Sequence, residues 1–164
     1  MLKLAGAAMI IVSGSILGIL KADRLKKRAD NLENITSALE LLKCDINYGR
    51  KDLQGALRDI GISLKIDIFR RIAEYIKDLG IKGAIKKAVD DDVECLLERD
   101  KEPVRTLGET LGMTDAENQT RAIDEAITRL IKAKKDAEEE YLRLGRLYKS
   151  VGFFGGVLVA IVLM

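Results

Sequence analysis

Apolar residues gather at the two ends of this chain and fall into stripes between them. Leu4 to Leu20 carries no charged residue, and neither does Val151 to Met164. Between these runs the chain is densely charged, and apolar positions recur at helical steps. Leu25, Ala29, Leu32, Ile35, Leu39, Leu42 and Ile46 follow at three- and four-residue intervals, which places them on one helix face. That helix is predicted to run to about Tyr48 and stop near Gly49. Asp52 is placed to cap a short second helix, with Leu53, Ala56, Leu57 and Ile60 inward.

The next segment carries a conflict. Ile62, Leu64, Ile66 and Ile68 alternate with Ser63, Lys65 and Asp67, which is strand periodicity. No second strand candidate is present, and a lone strand leaves its backbone groups unpaired. The prediction is an extended stretch leading into a helix faced by Phe69, Ile72, Ala73, Ile76 and Leu79, with a short helix over Ala84 to Val89. The run Asp90-Asp91-Asp92-Val93-Glu94 reads as a solvated helix end or turn rather than a cation site, because consecutive carboxylates diverge. Asp100 is expected to cap a helix with Pro103 in its first turn, where a missing N–H costs little. Val104, Leu107 and Leu111 form its buried side, and Gly112 can end it. Thr114-Asp115-Ala116-Glu117 has the form of a capping box. The helix it opens has a seam of Ile123, Ile127, Leu130, Ala137, Tyr141, Leu144 and Tyr148, interrupted at Lys134.

The terminal runs set the topology. A hydrocarbon core of ~30 Å needs about 20 mostly apolar residues. Leu4 to Leu20 is near that length, and Lys3 and Lys21 can snorkel to extend it. Leu20-Lys21-Ala22-Asp23-Arg24 contains no small-x-small cleavage site, so a retained anchor is expected rather than a signal peptide. Val151 to Met164 is shorter, covering about 21 Å; starting at Leu147 lengthens it. It reads as a second span, with a buried C-terminal core segment as the alternative. Lys21, Arg24, Lys26, Lys27 and Arg28 follow the first run, and Arg143, Arg146 and Lys149 precede the second. Both flanks place the middle of the chain in the cytoplasm. Gly14 with Gly18, and Gly152 with Gly156, give small-xxx-small spacings that let helices approach closely in lipid, either with each other or with a shared partner helix.

These readings predict an all-α fold. It is an antiparallel multi-helix bundle whose long terminal helices continue into N- and C-terminal transmembrane helices. The helices flanking the bundle, roughly 25 residues and nearly 40 Å each, run antiparallel if both ends are anchored. The divisions are a transmembrane helix at 3–21, a cytoplasmic helical bundle at 22–149, and a C-terminal transmembrane or membrane-embedded helix at 150–164.

Composition narrows the chemistry. The net charge of +2 implies no strong nucleic-acid field, and 4% aromatics without tryptophan offer no platform for stacking bases. There is no histidine, so triads, zinc sites and proton relays built on it are absent. Cys44 and Cys95 are isolated and are expected as reduced thiols on helices. No catalytic, metal-binding or cofactor-binding residue is predicted, and an enzyme is not expected.

Gly108-Glu109-Thr110-Leu111-Gly112-Met113-Thr114-Asp115-Ala116-Glu117-Asn118-Gln119 resembles the stage III sporulation protein AB family of endospore-forming bacteria. Similar too are Met1-Leu2-Lys3-Leu4 with the apolar run and Leu25-Lys26-Lys27-Arg28, then Ile46-Asn47-Tyr48-Gly49 with Leu53 and Ala56-Leu57, and Leu147-Tyr148-Lys149-Ser150-Val151-Gly152. The resemblance covers essentially the whole chain in order. It departs at Asp52, where the family often has proline, and at Lys86-Lys87, where an aromatic is common nearby.

The resemblance implies a cytoplasmic helical bundle similar to that of the inner-membrane platform protein of type II secretion and type IV pili. It implies a place in the mother-cell membrane around the forespore, within a secretion-like channel complex. The implied partners are other membrane subunits, a secretion-type ATPase and the lipid bilayer, with no nucleic acid. Within the motif, Gly108, Leu111, Gly112 and Thr114 have structural readings: close packing, burial, a left-handed helix end and a cap. Asp115, Gln119 and Arg121 are candidates for a partner contact, with a purely architectural role as the alternative. The expected function is a non-enzymatic platform or adaptor coupling the ATPase to membrane components. The alternative is a membrane-tethered regulator that sequesters a soluble cytoplasmic partner.

Overall fold

The computed structural model describes residues 2–49, 52–91 and 96–163. It contains helices α1 (Leu2–Tyr48), α2 (Leu53–Ser63), α3 (Asp67–Asp90), α4 (Glu98–Leu107) and α5 (Ala116–Leu163), and no strand among the described residues. The fold is therefore all-α. The chain divides into two compact units, Asp30–Lys134 and the pair Met1–Ala29 with Lys135–Met164. Each takes one part of α1 and one part of α5.

The Asp30–Lys134 unit holds the main core. The α1 stripe contributes Leu32, Ile35, Leu39 and Leu42, and α5 answers with Ile123, Ile127 and Leu130, all buried. The two segments run antiparallel: Lys43 pairs with Asp124 at 2.6 Å and Lys134 with Glu33 at 3.1 Å. The break in the α5 seam at Lys134 is thus an ion pair with α1. Ala56, Leu57 and Ile60 of α2 and Phe69, Ile72 and Ala73 of α3 fill the same core. Burying each large side chain contributes about 1.5–3 kcal/mol.

Local chemistry explains most of the boundaries. Gly49, at φ 57°, ends α1 in a left-handed conformation. Asp52 caps α2 by accepting from Gly55 N–H at 3.3 Å. Gly80, at φ 65° and ψ 173°, breaks α3 into two helical stretches, as the separate stripes around it predict. Leu79 beside this break is 47% exposed, so the first stretch loses its inward face there.

The segment Ile62 to Ile68 is not extended, apart from Ile66. α2 runs through Ser63, and Lys65 turns the chain at φ 56°. Ile66 N–H donates to Gly61 C=O at 2.9 Å and Lys65 N–H to Ile62 C=O at 3.3 Å. This bond pair is a Schellman ending. The turn buries Ile66 and Ile68 while Ile62 stays 60% exposed, so the alternation reflects a tight reversal rather than a pleat. Gly61 makes the reversal possible: a Cβ there would lie 2.6 Å from Arg70 N.

Three further boundaries differ from the sequence reading. Asp100 does not precede α4. It lies at the third helical position, and its carboxylate accepts from Leu97 N–H at 3.0 Å. The helix therefore starts at Glu98, and Pro103 falls in its second turn. Thr114 is not the cap of α5. Its hydroxyl donates to Thr110 C=O at 3.2 Å, while Asp115 accepts from Asn118 N–H at 2.9 Å. Carboxylate and hydroxyl compete here, and the ionised acceptor makes the stronger cap. α4 ends at Leu107, with turns at 108–113 before Asp115.

Asp90 and Asp91 do form a helix end, yet both are engaged. Asp90 pairs with Arg105 at 2.6 Å, and Asp91 accepts from Tyr75 Oη at 3.4 Å. Lys87, in the stretch where the family often has an aromatic, lies 4.4 Å from the centre of the Tyr75 ring. Asp92, Val93, Glu94 and Cys95 lie outside the described residues. Cys44 is an exposed free thiol on α1.

Candidate functional site

The first candidate is the helix pair of the Met1–Ala29 and Lys135–Met164 unit. Small residues on both helices meet backbone to backbone. A Cβ on Gly14 would stand 2.7 Å from Gly152 O and 3.3 Å from Gly156 Cα. A Cβ on Gly18 would strike the Tyr148 carbonyl and reach Gly152 Cα at 3.3 Å. One on Gly152 would lie 2.5 Å from Gly14 O. Rising residue numbers on α1 face falling numbers on α5, so the helices are antiparallel. The contact extends to fully buried Ala22, whose Cβ lies 3.9 Å from a Cβ built on Gly145. The four-residue spacings of Gly14 with Gly18 and of Gly152 with Gly156 carried this signal; Ala22 was not singled out by it, and Gly145 was visible only as a helix breaker. Further along, buried Arg28 donates to Glu140 Oε2 at 2.9 Å.

The outer faces of this pair are apolar. Ile16, Leu17 and Leu20 on α1, and Val151, Phe154 and Leu158 on α5, are each at least half exposed. Phe153 and Phe154 meet edge to face at 5.4 Å. Among the described residues no helix is long and apolar enough to cross a membrane. The side chains of Leu4, Ala5, Ala7, Ala8, Ile10 and Ile11 in the first apolar run, and of Ala160, Val162 and Leu163 in the second, lie outside the described residues.

The second candidate is the α4–α5 turn. Gly108 lets the turn approach α3, where a Cβ would come within 3.3 Å of Lys82 Cα. Gly112, at φ 71°, reverses the chain beside Leu53 Cδ2. Leu111 is buried beneath it. Gln119 reaches back from α5: its Oε1 accepts from Gly112 N–H at 3.1 Å, and its Nε2 donates to Thr114 C=O at 2.7 Å. The side-chain amide therefore substitutes for two backbone partners and fixes the turn. Asp115 is the helix cap, and Arg121 pairs with exposed Glu117 at 3.3 Å. Met113 projects from the turn at 67% exposure.

Arg105 orients α4 beneath this turn. Its guanidinium reaches Asp90 at 2.6 Å, Glu102 at 3.1 Å and Glu98 at 3.4 Å. The hydrogen bond it donates to Asp90, with those to Glu102 and Glu98, raises its pKa against the opposing effect of desolvation.

Two clefts among the described residues are small. One of about 90 Å³ is lined by Asn31, Asn34, Lys65 and Asp67, and another of about 130 Å³ by Pro103, Thr110, Ala122 and Arg129. Ligand pockets usually run to about 300–1,000 Å³. Among the described residues, no group of three or more Cys, Asp or Glu is placed to hold a metal ion.

These features define an all-α protein built from a close-packed pair of terminal helix segments and a helical bundle with a braced turn. The chain belongs to the stage III sporulation protein AB family, whose model matches residues 3–164. It is 29% identical to stage III sporulation protein AB of Bacillus subtilis (strain 168) over 171 residues, covering 100% of each chain. It is also similar in fold to a solved structure of a stage III sporulation protein AB, with a TM-score of 0.60 at 24% identity, covering 70% of this chain and 96% of that one. The family places the chain in sporulation.

Proposed function

We propose that this chain is a non-enzymatic membrane platform or adaptor subunit of a secretion-like channel complex between mother cell and forespore. In this reading both terminal helices lie in the mother-cell membrane surrounding the forespore. The Asp30–Lys134 unit faces the cytoplasm, where it couples a secretion-type ATPase to the other membrane subunits.

The observation that carries the reading is the matched build of the paired terminal helices. The clusters of exposed apolar side chains reach Leu20 on α1 and Leu147 on α5, next to the contact of Ala22 with Gly145, with exposed Leu142 standing apart among charged residues. Two apolar bands that stop at one level are what a bilayer boundary requires of an antiparallel pair. Backbone approach through glycine is the packing that works in lipid, where apolar side chains gain nothing by leaving the hydrocarbon.

The test is purification of tagged full-length protein in detergent from sporulating cells, with identification of what accompanies it. Recovery of a secretion-type ATPase and other membrane subunits supports the platform. Recovery of a single soluble regulator, or of nothing where the membrane complex survives, sinks it.

A further inference from the structure

The paired terminal helices carry a basic belt next to the end of the apolar bands. Lys21, Arg24, Lys26 and Lys27 on α1, and Arg143 and Arg146 on α5, are all exposed. None of them makes a hydrogen bond or ion pair with another described residue. The two sets come from opposite ends of the chain. They are brought to one level by the packing of Ala22 against Gly145, where a Cβ built on the glycine would lie 3.9 Å from Ala22 Cβ. Exposed acids at this level include Asp23 on α1 and Glu139 on α5. Arg28 is different: it is buried and held by Glu140.

Unpaired exposed cations are common on protein surfaces; their position is what distinguishes these. They begin where exposed Leu20 and Leu147 end, at the depth where phosphate groups lie if the apolar bands are in hydrocarbon. Elsewhere on the chain, exposed Arg70, Lys82 and Arg121 have acidic partners within 4 Å, whereas exposed Lys77, Lys86, Arg129 and Lys132 have none among the described residues and lie away from the apolar bands. We propose that this belt binds the headgroups of anionic phospholipids, clamping the helix pair at the cytoplasmic face of the membrane. The inference rests on the membrane reading above. Juxtamembrane Lys and Arg each strengthen attachment to an anionic surface, within about a Debye length. Placing them on two packed helices lets one patch of headgroups bind both ends of the chain.

Full-length protein in a neutral detergent is titrated with short-chain phosphatidylglycerol and separately with short-chain phosphatidylcholine, and bound lipid is read by native mass spectrometry. The parent is expected to prefer phosphatidylglycerol by about tenfold or more at low salt, and less at high salt. The variant Arg24→Gln/Lys27→Gln/Arg143→Gln/Arg146→Gln loses most of that preference. The control Lys77→Gln/Lys86→Gln/Arg129→Gln/Lys132→Gln keeps it, and Arg24→Gln/Arg146→Gln falls between. Absence of a preference in the parent, or its survival in the belt variant, overturns the inference. So does loss of a co-purifying protein from the belt variant with lipid preference intact, because that assigns the belt to a protein partner. Alkaline carbonate extraction of membranes separates the two levels. Release of the chain into the soluble fraction sinks the anchor reading itself, whereas retention without lipid preference sinks only the belt.

Discussion

Alanine scanning of the terminal glycines separates backbone packing from helix propensity, because one chemical change is expected to act with opposite signs on a single helix. At Gly152 a Cβ would lie 2.5 Å from Gly14 O and 3.1 Å from Gly18 Cα, below the 3.0 Å limit at the oxygen. To restore 3.0 Å the helices must separate by about 0.5 Å, the difference of those distances. Such a gap forfeits about a quarter of the dispersion energy at each contact along the seam. Overpacking of this kind costs about 1–3 kcal/mol. At Gly155 nothing lies within 4 Å of the added methyl, so Gly155→Ala gains up to about 1 kcal/mol from helix propensity. The contrast between the two variants is then about 2 kcal/mol, or roughly thirtyfold in an opening equilibrium. Amide hydrogen exchange of full-length protein in micelles, followed in peptides from both terminal helices, reads it directly. Gly14→Ala is expected to cost a similar amount, and the double variant with Gly152→Ala less than the sum, since both substitutions open the same gap. If Gly152→Ala exchanges no faster than Gly155→Ala, the close approach of α1 and α5 does not exist in solution.

The remaining predictions concern the bundle and are read by chemical denaturation of the full chain. Asp115→Ala is expected to cost about 1 kcal/mol through loss of the α5 cap, and Thr114→Ala only a few tenths; the reverse order restores the threonine cap. Gln119→Leu removes two hydrogen bonds from the turn and costs about 1–2 kcal/mol, with faster exchange at Gly112 N–H as its local sign. Gly61→Ala forces α2 from Arg70 and costs about 1–3 kcal/mol; neutrality refutes the tight reversal. Arg105→Lys keeps the charge but loses the fork that spans Asp90 and Glu102, for a partly exposed cost of about 0.5 kcal/mol.

Helical periodicity determined the stripe from Leu32 to Leu42, the seam from Ile123 to Leu130 and the two stretches of α3, because a 3.6-residue repeat is a local property of the chain. Asp52 was legible as a cap for the same reason. The boundaries that escaped depend on competition between neighbours. Asp115 prevails over Thr114 because its carboxylate reaches Asn118 N–H while the hydroxyl turns to Thr110. Asp100 reaches back to Leu97 and starts α4 earlier than Pro103 suggests. The alternating isoleucines after Ile60 resemble a strand because a tight reversal also alternates burial, and Gly61 against Arg70 is visible only once both helices are placed. In the terminal helices, glycine spacing marked a close-packing face on each run by itself. Only tertiary structure decided that those faces meet each other, because antiparallel register depends on residues more than a hundred positions apart. The same register brings Arg143 and Arg146 beside Lys21 and Arg24, making one belt from two flanks that the sequence presents separately.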